Sequence, residues 1–345
     1  MTSLSRAPNS SVLGATVVAL VAAALVAPVG ASANDNAVEG IQAQVKRGTL
    51  TVKGGDGRQR VALRLKSGDP SRIQVDVGDD GSAEFSFDRG HVIAIKVKMG
   101  DGNDSARIDD ANGAFTDSIP TTIAGGDGND SLEGGQVQVA AENETFTGGD
   151  GSDFVDGGKG NDTAHLGDGN DSFRWDNGEG SDAIEGQDGR DTMVFNGAAA
   201  SENVTLTANK RRLTFFRIQG NVTMDTDGVE TVDFNALGGT DSVTVNDLTG
   251  TDVTETNLDL AGTLGGNAAD GQIDDVVVNG TNGDDTINID GSGSGADVTG
   301  LATAVSVTHA DPTDTLSVNT LAGTDAVFAT GVAGVLQVLV DGARL

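Results

Sequence analysis

Seven times between residues 99 and 194 the chain returns to one nine-residue pattern, G-G-x-G-x-D-x-U-x, with U large and apolar. Three copies are close: GGDGNDSLE (125–133), GGDGSDFVD (148–156) and GGKGNDTAH (157–165), where Ala164 is small for U. Four are looser: MGDGNDSAR (99–107), LGDGNDSFR (166–174), NGEGSDAIE (177–185) and GQDGRDTMV (186–194). The G-G-x-G-x-D piece reads as a turn, because glycine tolerates positive φ and close backbone approach, and x-U-x reads as a three-residue strand burying one side chain. One such unit is too small to be stable alone. Stacked units put Leu132, Val155, Phe173, Ile184 and Met193 in a narrow core and pile the aspartates on one another.

The sixth-position aspartates fall at 104, 130, 153, 162, 171, 182 and 191, separated by 26, 23, 9, 9, 11 and 9 residues. A coil of two strands and two turns takes about 18 residues, so alternate copies share a side. Asp153, Asp171 and Asp191 then form one column, and Asp162 with Asp182 the other. Asp104 and Asp130 extend the first column only if their coils carry excursions such as EGGQVQVAAENETFT (133–147). Carboxylates stacked about 4.8 Å apart repel unless a cation lies between them. Calcium suits that gap, accepting about six to eight oxygens in flexible geometry, where magnesium demands a tighter octahedron.

The stretch resembles the hemolysin-type, or RTX, calcium-binding repeat, over about residues 99–194. The resemblance implies an all-β fold, a parallel β-roll or β-helix solenoid, holding several Ca2+ ions. It also implies the metal-binding residues: Gly100, Asp101, Gly102 and Asp104; Gly126, Asp127, Gly128 and Asp130; Gly149, Asp150, Gly151 and Asp153. The later copies supply Gly158, Gly160 and Asp162; Gly167, Asp168, Gly169 and Asp171; Gly178, Gly180 and Asp182; and Asp188, Gly189 and Asp191.

Charge agrees with a cation partner. With 21 Lys+Arg against 52 Asp+Glu, a net charge of −31, the chain needs counter-ions and is unsuited to nucleic acid. Disorder is opposed by a 37% hydrophobic content and by alternating runs such as RVALRL, RIQVDV and AIKVKM. The absence of cysteine removes disulfides and thiolate metal sites together.

Residues 1–33 read as a signal peptide: Arg6, an apolar stretch from Val12 to Val29, and Ala31-Ser32-Ala33 before Asn34. A retained membrane anchor is the alternative, since the apolar stretch is nearly long enough to span. Cleavage leaves a secreted chain with no further membrane span. Many proteins with these repeats leave by a one-step channel using a C-terminal signal, so a Sec-type segment departs from that pattern.

The flanks keep the turns and lose the ligand. In residues 34–98, GGDGRQRVA (54–62) has Gln59 and GDDGSAEFS (78–86) has Ala83 in place of the aspartate, which predicts coils stacked without calcium. The calcium section is placed at 99–195. In 196–345, DSVTVNDLTGTD (241–252) recurs as DTLSVNTLAGTD (314–325), with DDVVVNG (274–280) and GDDTINIDG (283–291) related. Longer V-x-V strands predict hydrophobic stacking in place of metal. Asp241, Asp252, Asp285, Asp314 and Asp325 read as turn-capping carboxylates, although Gly283, Asp284 and Asp285 preserve one late calcium turn. GVLQVLVDGARL (334–345) reads as a terminal strand. The basic island NKRRLTFFRIQG (209–220) reads as an excursion whose Phe215 and Phe216 plug the solenoid, with a partner-binding patch as the alternative.

Catalytic patterns are wanting. His91, His165 and His309 fall in different coils, and no G-x-S-x-G elbow, H-E-x-x-H helix or cysteine nucleophile occurs. The reading is a secreted calcium-binding repeat protein, not an enzyme, serving as a structural or adhesive extracellular module with an unidentified cell-surface or matrix partner. A carbohydrate-active lyase or epimerase on a β-helix is the alternative, against which stand a single Trp and no Tyr to hold sugar. A groove gathering two carboxylates with His, Lys or Arg would favour the enzyme.

Overall fold

In the repeats each coil gives one strand to each of two sheets. The strands Thr121–Asp127, Glu144–Asp150, Thr163–Gly169 and Ala183–Gly189 stack in parallel in the first sheet. Ser131–Glu133, Phe154–Asp156, Ser172–Trp175 and Thr192–Asn196 do so in the second. The computed structural model describes residues 40–137 and 143–345; the segment 1–33, read as a signal peptide, and part of the 133–147 excursion lie outside them. Among the described residues the sheets hold 15 and 14 strands, with three short 3-10 turns and no α-helix.

The register puts like on like. Leu132, Val155, Phe173 and Met193 are aligned Cα to Cα and fully buried, as is Ile184 in the facing sheet. Both sheets' inward residues join one hydrophobic core. The turns are more ordered than the pattern predicts, for the first-sheet strands run on through the G-G-D of the next copy. The reason is a backbone ladder in the turn: N–H of Gly102, Gly128 and Gly151 donates to the carbonyls of Asp127, Asp150 and Asp168 in the next coil at 2.6, 2.6 and 2.7 Å. This closeness requires glycine at the second position. Gly149 has φ +128°, and a Cβ there would overlap the carbonyl of Gly126 in the coil before.

The N-terminal end corrects one expectation. Arg60–Lys66 does stack in parallel on Ser105–Asp109. Residues 78–86, however, are not a metal-free coil: they connect Asp69–Val77 to Phe85–Asp88 in an antiparallel meander that closes the end of the second sheet. Asp76, fully buried, accepts from the N–H of Asp80 and Gly81 and pairs with Arg64, so the glycines there serve a hairpin.

The C-terminal section resumes parallel stacking after a hairpin inserted between coils. Arg212–Arg217 runs antiparallel to both Asn203–Asn209 and Val222–Asp227 within the first sheet. Phe215 does plug the core, packed on Phe195 and Phe234 with centroids 4.4 and 5.9 Å away, while Phe216 is only half-buried on the outer face. Beyond the hairpin, Ser242–Val245, Asp275–Asn279, Thr315–Asn319 and Gln337–Val340 continue the first sheet. The last of these falls in the terminal stretch read as a strand.

Candidate metal-binding columns

The sixth-position aspartates stand directly before the strands, and the stacking of the strands piles them up. The first column is continuous: the N–H of Asp104 donates to Asp130 Oδ1, that of Asp130 to Asp153, Asp153 to Asp171 and Asp171 to Asp191, at 2.7, 2.8, 2.7 and 2.9 Å. Gln59 heads it, its N–H 2.7 Å from Asp104 Oδ1. The second column runs Glu144, Asp162, Asp182, at 2.6 and 2.7 Å. Alternate copies therefore share a side, and the 26- and 23-residue gaps before Asp153 are taken up by excursions.

Each carboxylate spends Oδ1 on the neighbouring coil's backbone. Among the described residues, Oδ2 of Asp104, Asp130, Asp153, Asp162, Asp171, Asp182 and Asp191 is buried and has no hydrogen-bond partner. Buried anionic oxygen without a donor is costly unless something positive meets it. Burial raises the carboxyls of Asp153, Asp182 and Asp191 to about 7 and that of Asp104 to about 6. For Asp162 burial, then the flanking Asp182 and Glu144, push in the same direction. In Asp104, Asp153 and Asp191 the accepted N–H opposes the rise and the next carboxylate of the column adds to it.

The first glycine of the repeat, which the sequence reading left out, faces these oxygens. A Cβ on Gly125 or Gly148 would overlap Oδ2 of Asp130 or Asp153, and one on Gly186 would come within 2.5 Å of Oδ2 of Asp191. Beside Oδ2 of Asp130, Asp153 and Asp191, and of Asp162 opposite Gly157, the space is thus kept open by a missing side chain. The donors are oxygen alone, the set that suits a hard cation such as calcium. The residue set fits that ion.

The remaining predicted residues divide. Gly100, Gly126, Gly149, Gly158, Gly167 and Gly178, with Gly102, Gly128, Gly151, Gly160, Gly169 and Gly189, hold positive φ in the turns, and Gly180 lies where a Cβ would overlap the Gly160 carbonyl. The third-position Asp101, Asp127, Asp150, Asp168 and Asp188 are exposed and in register, one per coil, outside the buried columns. The fifth-position Asn has a role the sequence reading did not assign: Oδ1 of Asn103, Asn129, Asn161 and Asn170 accepts from the backbone of the next coil at 2.8 to 3.1 Å. Glu144, Glu202 and Glu230 were also missed. Each lies two residues before an inward apolar residue, as the aspartates do, which was the available sign.

The later turns are built the same way. Glu202, Asp241, Asp274 and Asp314 form a third column at 2.7, 2.8 and 3.0 Å. Asp314 Oδ2 accepts from its own turn, the Asp311 N–H, at 2.6 Å. In the turn at 283–285 both oxygens of Asp285 are taken by Thr281, and Asp285 N–H donates to Asp325. Asp252 accepts from the Gly228 N–H.

Parallel stacked coils whose turns align oxygen donors define a calcium-binding β-roll. Residues 121–136, 140–173 and 177–197 match the RTX calcium-binding nonapeptide repeat, in four copies, and the chain carries these repeats there. No curated protein matches the chain.

Proposed function

We propose that the protein is a secreted, non-catalytic module whose rod of coils is held together by calcium bound along the two aspartate columns, chiefly within 99–195. The observation that carries the reading is the row of buried, unpartnered Oδ2 atoms, four of which, on Asp130, Asp153, Asp162 and Asp191, face a glycine. Asp104, Asp130, Asp153, Asp171 and Asp191 in one column, and Asp162 and Asp182 in the other, supply carboxylates, with turn backbone oxygens completing each shell. The ion would neutralise groups that repel one another, so binding and folding are one event. Site affinities of roughly 10⁻⁴ to 10⁻³ M, typical of extracellular calcium modules, leave the repeats unfolded in a low-calcium cytoplasm and folded outside. Export rests on the segment 1–33, and the partner is a cell-surface or matrix component.

One cleft meets the condition set for the enzyme alternative, and the non-catalytic reading rests on what already holds its carboxylates. A cleft of ≈ 350 Å³ gathers Glu185, Asp227, Glu230 and Asp252 beside Arg211. Its acids are engaged: Asp227 pairs with Arg211, Glu185 with Arg212, Glu230 accepts from the Asp191 N–H and Asp252 from that of Gly228. His91 lies in the 3-10 turn Arg89–His91, His165 in the strand Thr163–Gly169, and His309, after the strand Ala304–Thr308, is bound to Asp259 at 2.6 Å. Circular dichroism and calorimetry during calcium addition to the metal-free chain test the proposal. Gain of β signal with saturable heat is expected; a spectrum unchanged by calcium overturns it.

A further inference from the structure

Charge is segregated along the chain. Residues 40–98 carry 11 Lys+Arg against 7 Asp+Glu, while residues 99–345 carry 9 against 43. The surplus gathers on one surface. Gln42–Lys46, Thr49–Lys53 and Ala94–Asp101 are the first three strands of the first sheet, and their outward side chains include Lys46, Lys53, Lys96 and Lys98. All four are exposed, and the whole chain has seven lysines. Lys53 stands beside Lys98 in register, with Lys96 beside Thr51. Like charges opposite one another in neighbouring strands are destabilising. Among the described residues, however, Lys66 is the one lysine with a carboxylate partner, Asp69. The basic island at 209–220 is spent differently, since Arg211, Arg212 and Arg217 are taken by Asp227, Asp225 and Glu202.

The lysine face carries no acid along its two central rows for three coils. In register beyond Lys96 and Lys98 come Thr122 and Ala124, Thr145 and Thr147, and Thr163 and His165, before Glu185 ends the second row. Four strand spacings put Glu185 about 19 Å from Lys98, about two screening lengths at physiological salt, so the acidic remainder of the molecule is felt weakly there. Asp56 and Asp101, bridged to each other, lie at the turn end of the face. At its other end stands Ile93, 69% exposed, the barest large apolar side chain among the described residues. Its N–H donates to the Gly48 carbonyl at 2.8 Å, in the turn that follows Lys46 and Arg47. A soluble acidic polymer answers the lysines and leaves the isoleucine in water. A lipid surface answers both, with phosphates outside and hydrocarbon beneath.

We propose that this face docks on the anionic headgroups of a membrane's outer surface, with Lys46, Lys53, Lys96 and Lys98 over the phosphates and Ile93 dipping between lipids. Lysine suits a headgroup plane, because an ammonium on a flexible stem needs no fixed partner geometry. The apolar stretch Val12–Val29 shortly precedes Gln42, so in sequence this end of the solenoid is the one next to the membrane being crossed. The inference rests on the reading of an exported chain and names its cell-surface partner.

Flotation of the exported chain, residues 34–345, with vesicles at one fixed calcium concentration tests it. Binding is expected to vesicles of mixed phosphatidylglycerol and phosphatidylcholine, with release by salt, and not to phosphatidylcholine alone. Lys98→Gln should weaken binding about fivefold, the equivalent of about 1 kcal/mol for one lysine at such a surface. Glutamine at all four positions should abolish it. Lys210→Gln, which removes the same charge from the hairpin, should change nothing, and Ile93→Ser should weaken binding about tenfold. A parent chain that floats with neither vesicle, or a fourfold variant that floats like the parent, overturns the proposal. Retention of the parent on an immobilised acidic polysaccharide without vesicle binding overturns it too, and assigns the face to a polymer. Circular dichroism of the same samples separates the two readings. A calcium-induced β signal without vesicle binding leaves the calcium rod standing, and lysine-dependent vesicle binding without that signal leaves the lipid surface standing.

Discussion

Two stretches of one solenoid solve the same stacking problem with different side chains. In the repeats a carboxylate recurs at each level, and a column of identical carboxylates has acceptors only. Beyond the hairpin the carboxylate column from Glu202 to Asp314 continues at one end of the strands, and an amide recurs at the other end. Asn279 Nδ2 donates to Asn246 Oδ1 at 2.9 Å and Asn319 Nδ2 to Asn279 Oδ1 at 2.8 Å, one asparagine after each V-x-V strand. Asn235 does the same to Asn196 at 2.8 Å. An amide carries donor and acceptor together, so its column is complete without help. The carboxylate column is incomplete by construction, and that incompleteness lets a metal decide whether the repeats fold. The charged acid that heads the later section, Glu202, is neutralised by Arg217, a cation the chain carries itself.

Calcium removal should separate the two stretches most sharply. With a chelator, hydrogen exchange is expected to lose protection over 121–197 and keep it over 242–319; protection that falls equally in both would end the comparison. Acidity should act next, with opposite sign in the two metal states. Without calcium, Asp104, at about 6, and Asp153, Asp182 and Asp191, at about 7, hold protons in the folded chain that the unfolded chain, near 3.8, has released. Their stabilising protonation is complete below pH about 4 and lost as pH rises through about 6 to 7, so the calcium-free repeats should become less stable over that range. Calcium displaces those protons, so its affinity should rise across the same window, as calorimetry in buffers of differing ionisation heat would show.

Substitutions sharpen the contrast further. Gly148→Ala places a methyl against Asp153 Oδ2 and the Leu166 carbonyl. It should cost about 1–3 kcal/mol by overpacking and abolish one ion, whereas Gly55→Ala, with open space around its Cβ, should do neither. Asn279→Asp is the smallest change: one donor of the part-buried amide column is lost, costing about 0.5–1.5 kcal/mol in a denaturant titration of the C-terminal section. Calcium should recover none of it, because the neighbours Asn246 and Asn319 remain amides. Recovery by calcium would show that the surroundings, and not the recurring side chain, select the metal.

Much of this was legible in the residues. The nine-residue period dictates stacked coils, and the apolar residue two places after each aspartate dictates which side chains face inward: Leu132, Val155, Phe173, Ile184 and Met193 all do. The 18- and 20-residue separations within 153–191 assign aspartates to columns because side chains repeat only when coils do. The meander at 69–88 was not legible, since G-D-D-G makes a hairpin turn or a solenoid turn equally well, and pairing partners far along the chain decide between them. The first-position glycines were overlooked because their φ is ordinary and only a neighbour's Oδ2 explains them. Asn246, Asn279 and Asn319 recur visibly, yet amide pairing depends on register across 33 and 40 residues.

The sequence by itself determined a calcium-binding solenoid: glycine and aspartate at fixed phase admit few other folds, since local backbone freedom and one buried residue per strand are properties of the repeat alone. Tertiary structure decided which carboxylate oxygens are left without a donor and which are met by arginine, amide or backbone. Those outcomes depend on what the next coil places within about 3 Å, and no single coil contains that information.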